Sequence, residues 1–490
     1  MNQRLPWWCG IVVLWFAGCS LRALVNDPLP PVSPSFITKR FTVAELRAEL
    51  ADVVEIVEVA EPTPYMFVSR ESIVSRMRSL SAQITRPLTR YEFLPFLLEL
   101  RAAYRIAHGT VLLPLEDFND YVARGGRLAS FAARREGDKI LIARVEPQIG
   151  SFAAGDELLA INGHDAAPLV DRIRAAMPDD GNKAFGDDKL DRNFGHWLWA
   201  FGVNGPFRLT IKRGSLVFET TEVGMRPPRM LTLKERFLTK AKDGVPEREP
   251  FSLRVTPAKV AILEVTAFNP LFRERWREFL VSTFSRLQRQ NIRGLVIDIR
   301  ENTGGDSREG DELLRYVTDR PYRTSGGKLW RRSERYDAFI RAAFPWWVRW
   351  LPYERWFLGR EFTEIGIGQT RWFAGKAAPP TATKLRFIGR VAVLTGPRTF
   401  SAAASFADAV KSYRLATLIG ESPGGINGFA AEVALTRLPR TRLAIAICSA
   451  RSVRANGDPN DLSPTKVDIA VTSSSDDRPL ARAIEFVLTR

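Results

Sequence analysis

The chain has few of the residues that build metal sites and disulfide scaffolds: three cysteines and three histidines among 490 residues. None stand at zinc-ligand spacing, so no metal or other cofactor is expected. Long hydrophobic runs are missing too. The apolar stretch WWCGIVVLWFAG, after Arg4, is too short to span a bilayer as a mature helix and ends in small residues, the pattern of a secretory signal that is removed. There is no basic arm either. Lys and Arg outnumber Asp and Glu by 71 to 55, a net charge of +16, but they are scattered over the whole length and no nucleic-acid motif accompanies them. Such a distribution suits solubility or an anionic membrane surface, and no nucleic-acid partner is expected.

What is present divides the chain. Residues 1–18 form the expected signal peptide, and their removal takes Cys9 away, leaving Cys19 and Cys448. Phe16-Ala17-Gly18-Cys19 resembles a bacterial lipobox with Phe16 in place of the usual leucine, which implies lipidation of Cys19 and a bacterial cell-envelope address. Ser20 is not an inner-membrane retention signal, so the resemblance implies a periplasm-facing outer-membrane lipoprotein; plain secretion with Cys19 idle is the alternative. A lipid on Cys19 would exclude an intramolecular disulfide, leaving stability to packing. Residues 19–40 contain NDPLPPVSPS and read as a tether. Apolar residues then recur every three or four positions in VAELRAELADVVEIV, RESIVSRMRSL and RYEFLPFLLELRAAYRI, so a helical domain is expected over 41–110, with Thr89 capping its last helix. KILIARV, DELLAIN and FRLTIK give 111–227 a β character. Residues 228–490 alternate strands and helices, which argues an α/β layered sheet.

Two segments of that last region carry chemistry. DIRENTGG at 298–305 follows the buried-strand pattern GLVI, and its glycines tolerate positive φ and expose backbone amides. TFSAAASFADAV at 399–410 follows VAVLT and opens a helix with Ser401 at its start, where free amides and the positive dipole end suit a nucleophile that must form an oxyanion. Taken singly, the first segment could be a tight connection and Ser401 an N-cap.

The segments occur in the order found in a known family. VAVLTGPRTFSAAASFADAVKSYRLATLIGESPGGINGF and GLVIDIRENTGG resemble the nucleophile and glycine-turn segments of the tail-specific (C-terminal processing) and tricorn-core serine peptidases. PLTRYEFLPFLLELRAAYRIAHGT at 87–110, VEPQIGSFAAGDELLAING at 145–163 and DLSPTKVDIAV at 461–471 extend the likeness over most of the chain from about residue 40. The resemblance implies a crotonase-like (ClpP/crotonase) spiral core for 228–490, interrupted by an insertion over about 326–380. It also implies a PDZ-like β module for 111–227, which either binds chain ends along a sheet edge or only positions the core.

A serine nucleophile needs a base. His164 sits in a turn and His196 among apolar neighbours, whereas His108, in IAHGT, matches the family's histidine base, though without the aspartate that usually precedes it. The lysine base of tail-specific members is replaced by Ile426, and Lys411, ten residues along a helix, would lie ~15 Å from Ser401. The resemblance thus implies the tricorn-like arrangement: Ser401 as nucleophile, His108 as base, Asp461 or neighbouring Asp458 as the orienting acid, and Gly304, Gly305 and Ala402 as oxyanion donors. The expected function is serine-type endopeptidase or C-terminal processing peptidase acting on periplasmic proteins or peptides, with a catalytically impaired chain-end-binding relative as the alternative. Ala404, where tail-specific members carry glutamate, belongs to that alternative. FPWWVRWLPYERWFLGR at 344–360 has a composition suited both to a bilayer interface and to a lid over the cleft.

Overall fold

VAELRAELADVVEIVEVA buries Leu46, Leu50, Val53 and Val57 along one stripe, and the helix α1 (Val43–Ala60) that results is closed at its start by a capping box of Thr42 and Glu45. Helices α2 (Arg70–Gln83) and α3 (Arg90–Ala103) follow, the latter with the same box from Thr89 and Glu92. The computed structural model describes residues 27–489, apart from 147–149, 233–248, 345, 347–348, 350–359, 378–382, 427 and 473–475. The signal segment, Cys19, and Trp347, Trp350 and Trp356 of the Trp/Arg segment therefore lie outside the described residues; Trp346 is exposed.

After α4 (Leu115–Ala123), an antiparallel sheet runs in the order β1 (Phe131–Glu136), β2 (Lys139–Val145), β3 (Glu157–Ile161), β4 (Phe207–Arg213), β5 (Leu216–Glu222). Three helices cross between β3 and β4: α5 (Ala166–Ala175), α6 (Lys183–Arg192) and α7 (Phe194–Ala200). Sequence patterning gave only the strands here. FGHWLWA is short and nearly apolar all round, so it offers no polar face from which a helical period can be read; its Phe194 and Leu198 enter the sheet's core.

The C-terminal region holds a second sheet of six strands, ordered β15 (Ile469–Ala470), β12 (Thr417–Gly420), β11 (Arg390–Thr395), β8 (Gly294–Asp298), β7 (Val260–Val265), β6 (Phe251–Val255). All its pairs are parallel except β6 with β7. Alternate residues face opposite layers: Leu295, Ile297 and Val393 pack under α8 (Arg273–Arg289), α9 (Ser307–Leu314) and α11 (Ala402–Ser412), while Val296, Ala392 and Leu394 pack on α12 (Arg478–Leu488). β8 and β11 are parallel neighbours in the register Asp298↔Leu394, so the loops after them leave the same edge of the sheet. Topology alone thus brings residues 299–306 against 396–401.

A four-stranded antiparallel sheet, β10 (Thr370–Ala374), β9 (Gly327–Arg331), β14 (Ala444–Val453), β13 (Ala430–Arg437), completes the fold, with α10 (Glu334–Ala343) beside it. The N-terminal helices share one apolar core with this sheet, where Leu50, Val57, Leu97 and Ile106 meet Ala434, Ile445 and Ile447. The turn after α3 is tied to β14, since Leu112 N–H donates to Ala444 O and Ala446 N–H to Thr110 O. This shared core carries residue 108 toward residue 401. Among the described residues no helix is long and apolar enough to cross a membrane.

Candidate active site

Ser401 lies between β11 and α11 with φ 53° and ψ −125°, a backbone region that L-residues rarely occupy. The surrounding loops hold it there. Thr399 Oγ1 donates to Ile299 O at 2.9 Å and accepts from Gly396 N at 3.1 Å, and Phe400 N–H donates to Asn302 O at 3.1 Å. Although Ser401 occupies the N-cap position, its side chain makes no capping hydrogen bond, so helix capping does not account for the hydroxyl.

The glycine turn packs directly on this serine. A Cβ at Gly304 (φ 101°) would lie 2.7 Å from Ser401 Cβ and 3.0 Å from Ala402 N, and one at Gly305 (φ 128°) would lie 1.8 Å from Phe268 O. Backbone amides therefore reach Ser401 where no larger residue fits. The three expected oxyanion donors are not equivalent. Gly304 N–H already donates to the buried Asn302 Oδ1 at 2.9 Å, whereas Gly305 N–H and Ala402 N–H have no acceptor among the described residues. The pair left open is Gly305 and Ala402.

His108 sits in the turn after α3, its ring stacked between Phe400 (centroids 4.5 Å apart, 23° between planes) and Phe429 (5.2 Å, 18°). Phe400 stacks in turn on Phe185 of α6 (4.3 Å, 10°), and the Lys189 ammonium lies 4.1 Å from the Phe185 ring centre. The column Phe429–His108–Phe400–Phe185 thus ties the imidazole to the residue preceding Ser401. Burial, reinforced by the positive charge of Lys189, pushes the His108 pKa down to about 3, so the ring is neutral. No hydrogen bond joins it to Ser401, and its buried Nδ1 has no partner.

Asp461 is not brought to His108. Its carboxylate pairs with Arg454, which also holds the fully buried Asp408 of α11 at 2.9 Å, and it accepts from Ser463 N at 3.0 Å and Ser463 Oγ at 2.6 Å. Asp458 is exposed in its own turn, accepting from Asn460 N at 2.9 Å. The spacing from the following strand could not show that an arginine from β14's end claims Asp461. The other expected absences and substitutions are simply located: Lys411 pairs with Asp468, Ile426 is buried, His196 stacks on Phe118 at 5.3 Å and His164 is exposed.

Sequence reading missed the contribution of the β module. Asp180, 2% exposed, accepts Ala107 N–H at 2.7 Å, and Asn182 Nδ2 donates to Pro423 O at 2.9 Å. Burial raises the Asp180 carboxyl to about 7 and lowers Lys189 to about 8. PDDGNKAF reads locally as a turn and helix cap, and nothing in its composition announces a site. Among the described residues no three His, Cys, Asp or Glu side chains converge as a metal site.

A strained, uncapped serine beside open backbone amides and a neutral imidazole, on a sheet with helices on both faces, defines a serine peptidase, a hydrolase. More particularly, residues 259–471, the part of the chain that carries Ser401 and the glycine turn, match the family model of Peptidase family S41. No curated protein matches it. Among solved structures it is similar to mature CPAF (14% identity, 91% of this chain and 96% of that one, TM-score 0.57). A CPAF mutant (15%, 91% and 96%, TM-score 0.59) and mature CPAF complexed with lactacystin (15%, 91% and 97%, TM-score 0.56) are similar to it as well. These likenesses extend over nearly the whole fold, beyond the region matched by the family.

Proposed function

We propose that the chain is an endopeptidase or C-terminal processing peptidase that cleaves periplasmic proteins or peptides through an acyl-enzyme on Ser401. The single observation that carries this reading is the left-handed Ser401, with its hydroxyl free of any cap, pressed against Gly304 beside the open amides of Gly305 and Ala402. Nε2 of His108 takes the Ser401 proton as Oγ bonds to the peptide carbonyl carbon. The carbonyl electron pair moves to oxygen, where Gly305 N–H and Ala402 N–H donate to it. The imidazolium then protonates the leaving amine as the C–N bond breaks, and water repeats the sequence to release the acid. For His108 to act, its ring must turn from the face of Phe400.

The parallel-rich sheet with both faces covered supports a crotonase-like core, and the antiparallel sheet of residues 131–222 supports a PDZ-like module. The lipobox-like segment supports a lipid anchor on Cys19 and a periplasm-facing outer-membrane address. A fluorophosphonate probe tests the central reading. Wild-type protein should be labelled, and Ser401→Ala and His108→Ala should not be; an absence of label in folded wild type under every condition would leave a chain-end-binding relative instead.

A further inference from the structure

Two buried polar atoms, Nδ1 of His108 and Oδ2 of Asp180, have no hydrogen-bond partner among the described residues. They belong to pieces of chain clamped together. Asp180 stands between α5 and α6 with φ 50°, its Oδ1 accepts from Ala107 N at 2.7 Å, and its own N–H donates to Arg105 O at 2.8 Å. The carboxylate is therefore fixed to the turn that bears His108, with one oxygen unused and an unused imidazole nitrogen on the adjacent residue. Buried polar groups are overwhelmingly hydrogen-bonded in native interiors, so a donor and an acceptor left unmet on segments clamped together call for an explanation. The other acids are excluded by their own contacts: Asp461 is held by Arg454 and Ser463, and Asp458 is exposed.

Building on the Ser401–His108 reading, we propose that Asp180, rather than Asp461, is the positioning residue that orients the imidazole: turning the ring off Phe400 lets Nδ1–H donate to Asp180 Oδ2 and directs Nε2 at Ser401. The Asp180 carboxylate stabilises the imidazolium that forms when Nε2 takes the Ser401 proton. Lys189 supports that role, because its positive charge favours the carboxylate against burial and against neighbouring Asp179. The device differs from an acid placed after the nucleophile in the chain, because it comes from the loop before α6. Seating of that loop on the core then sets the orientation of the base.

Asp180→Asn tests this, since its amide oxygen can still accept from Ala107 N and hold the turn. The expected result is a fall in kcat and in the fluorophosphonate labelling rate on the order of 10³-fold, with KM little changed, while Asp461→Asn stays within about threefold of wild type. Full labelling of Asp180→Asn, or loss confined to Asp461→Asn, overturns the assignment. A readout independent of activity is nitrogen NMR of His108, assigned with His164→Gln and His196→Gln. The proposal expects the neutral ring to carry its proton on Nδ1 in wild type and to shift toward Nε2 in Asp180→Asn. A wild-type ring protonated on Nε2 overturns it, whether or not Asp180→Asn folds. Failure of wild type to take the probe counts against the Ser401–His108 reading, and the NMR result then decides the Asp180 contact separately.

Discussion

Gly304 and Ser401 are packed so closely that a Cβ on the glycine would lie 2.7 Å from the serine Cβ, and this contact places the amide-bearing turn on the serine. Gly304→Ala should therefore push the two loops apart. Overpacking of this kind costs about 1–3 kcal/mol, and the φ of 101° at this position adds strain. Gly305→Ala should be worse, because its Cβ would meet Phe268 O at 1.8 Å. Urea midpoints and labelling rates measured together check both; a Gly304→Ala protein with wild-type stability and labelling would contradict the contact.

The backbone of Ser401 makes a second prediction. A non-glycine residue in a sparsely populated region costs about 1–3 kcal/mol, partly offset for glycine by the about 0.4–1 kcal/mol entropy of a freer unfolded chain. Ser401→Gly should be more stable than Ser401→Ala by about 1 kcal/mol, with both unlabelled. Equal melting temperatures would show that φ 53° carries no strain here.

His108 ties stability to pH. Its folded pKa is depressed to about 3 against an ordinary value of 6.5, so the unfolded chain binds a proton the folded one refuses as pH falls below about 6.5. The contribution is complete above that value and is lost progressively toward pH 3. Asp180 acts in the opposite sense, because its folded pKa is raised to about 7: its contribution is complete below about 3.8 and is lost as pH rises through 7. His108→Phe keeps the ring column and removes the first effect alone. Denaturant midpoints should show the variant gaining on wild type between pH 7 and pH 5; a constant difference would mean that the histidine is not buried neutral.

Arg454 joins the helix that follows Ser401 to the segment of Asp461. Removing it leaves Asp408, fully buried, with an uncompensated charge, so Arg454→Met should cost about 3–5 kcal/mol. Asp461→Asn, at a half-buried position, should cost under about 1 kcal/mol. Chemical denaturation of the two variants separates these roles, and similar losses in both would argue against the ordering.

Much of the architecture was legible because it depends on local periodicity. The helical stripes of 43–103, the strands GLVI and VAVLT and the Thr89 cap all appear where residue patterning put them. The helices at 166–200 escaped notice, since short apolar or glycine-bearing helices resemble loops until a sheet covers them. In the site, the strand-turn-helix context marked Ser401 and the glycine turn, because both chemistries are written within a few residues.

Sequence by itself determined the strand-turn-helix setting of Ser401, the glycines beside it, the layered α/β sheet and the serine-peptidase class, all of which rest on neighbours close in the chain. Only the tertiary structure decided which amides stay open, that Arg454 holds Asp461, and that the Asp180 loop grips the His108 turn while Phe185 and Lys189 close over Phe400. The physical reason is separation: residues 108, 180 and 401 are drawn together, and 461 is held apart, by shared cores and crossing loops, and no local pattern encodes which polar atom finds a partner once they are buried.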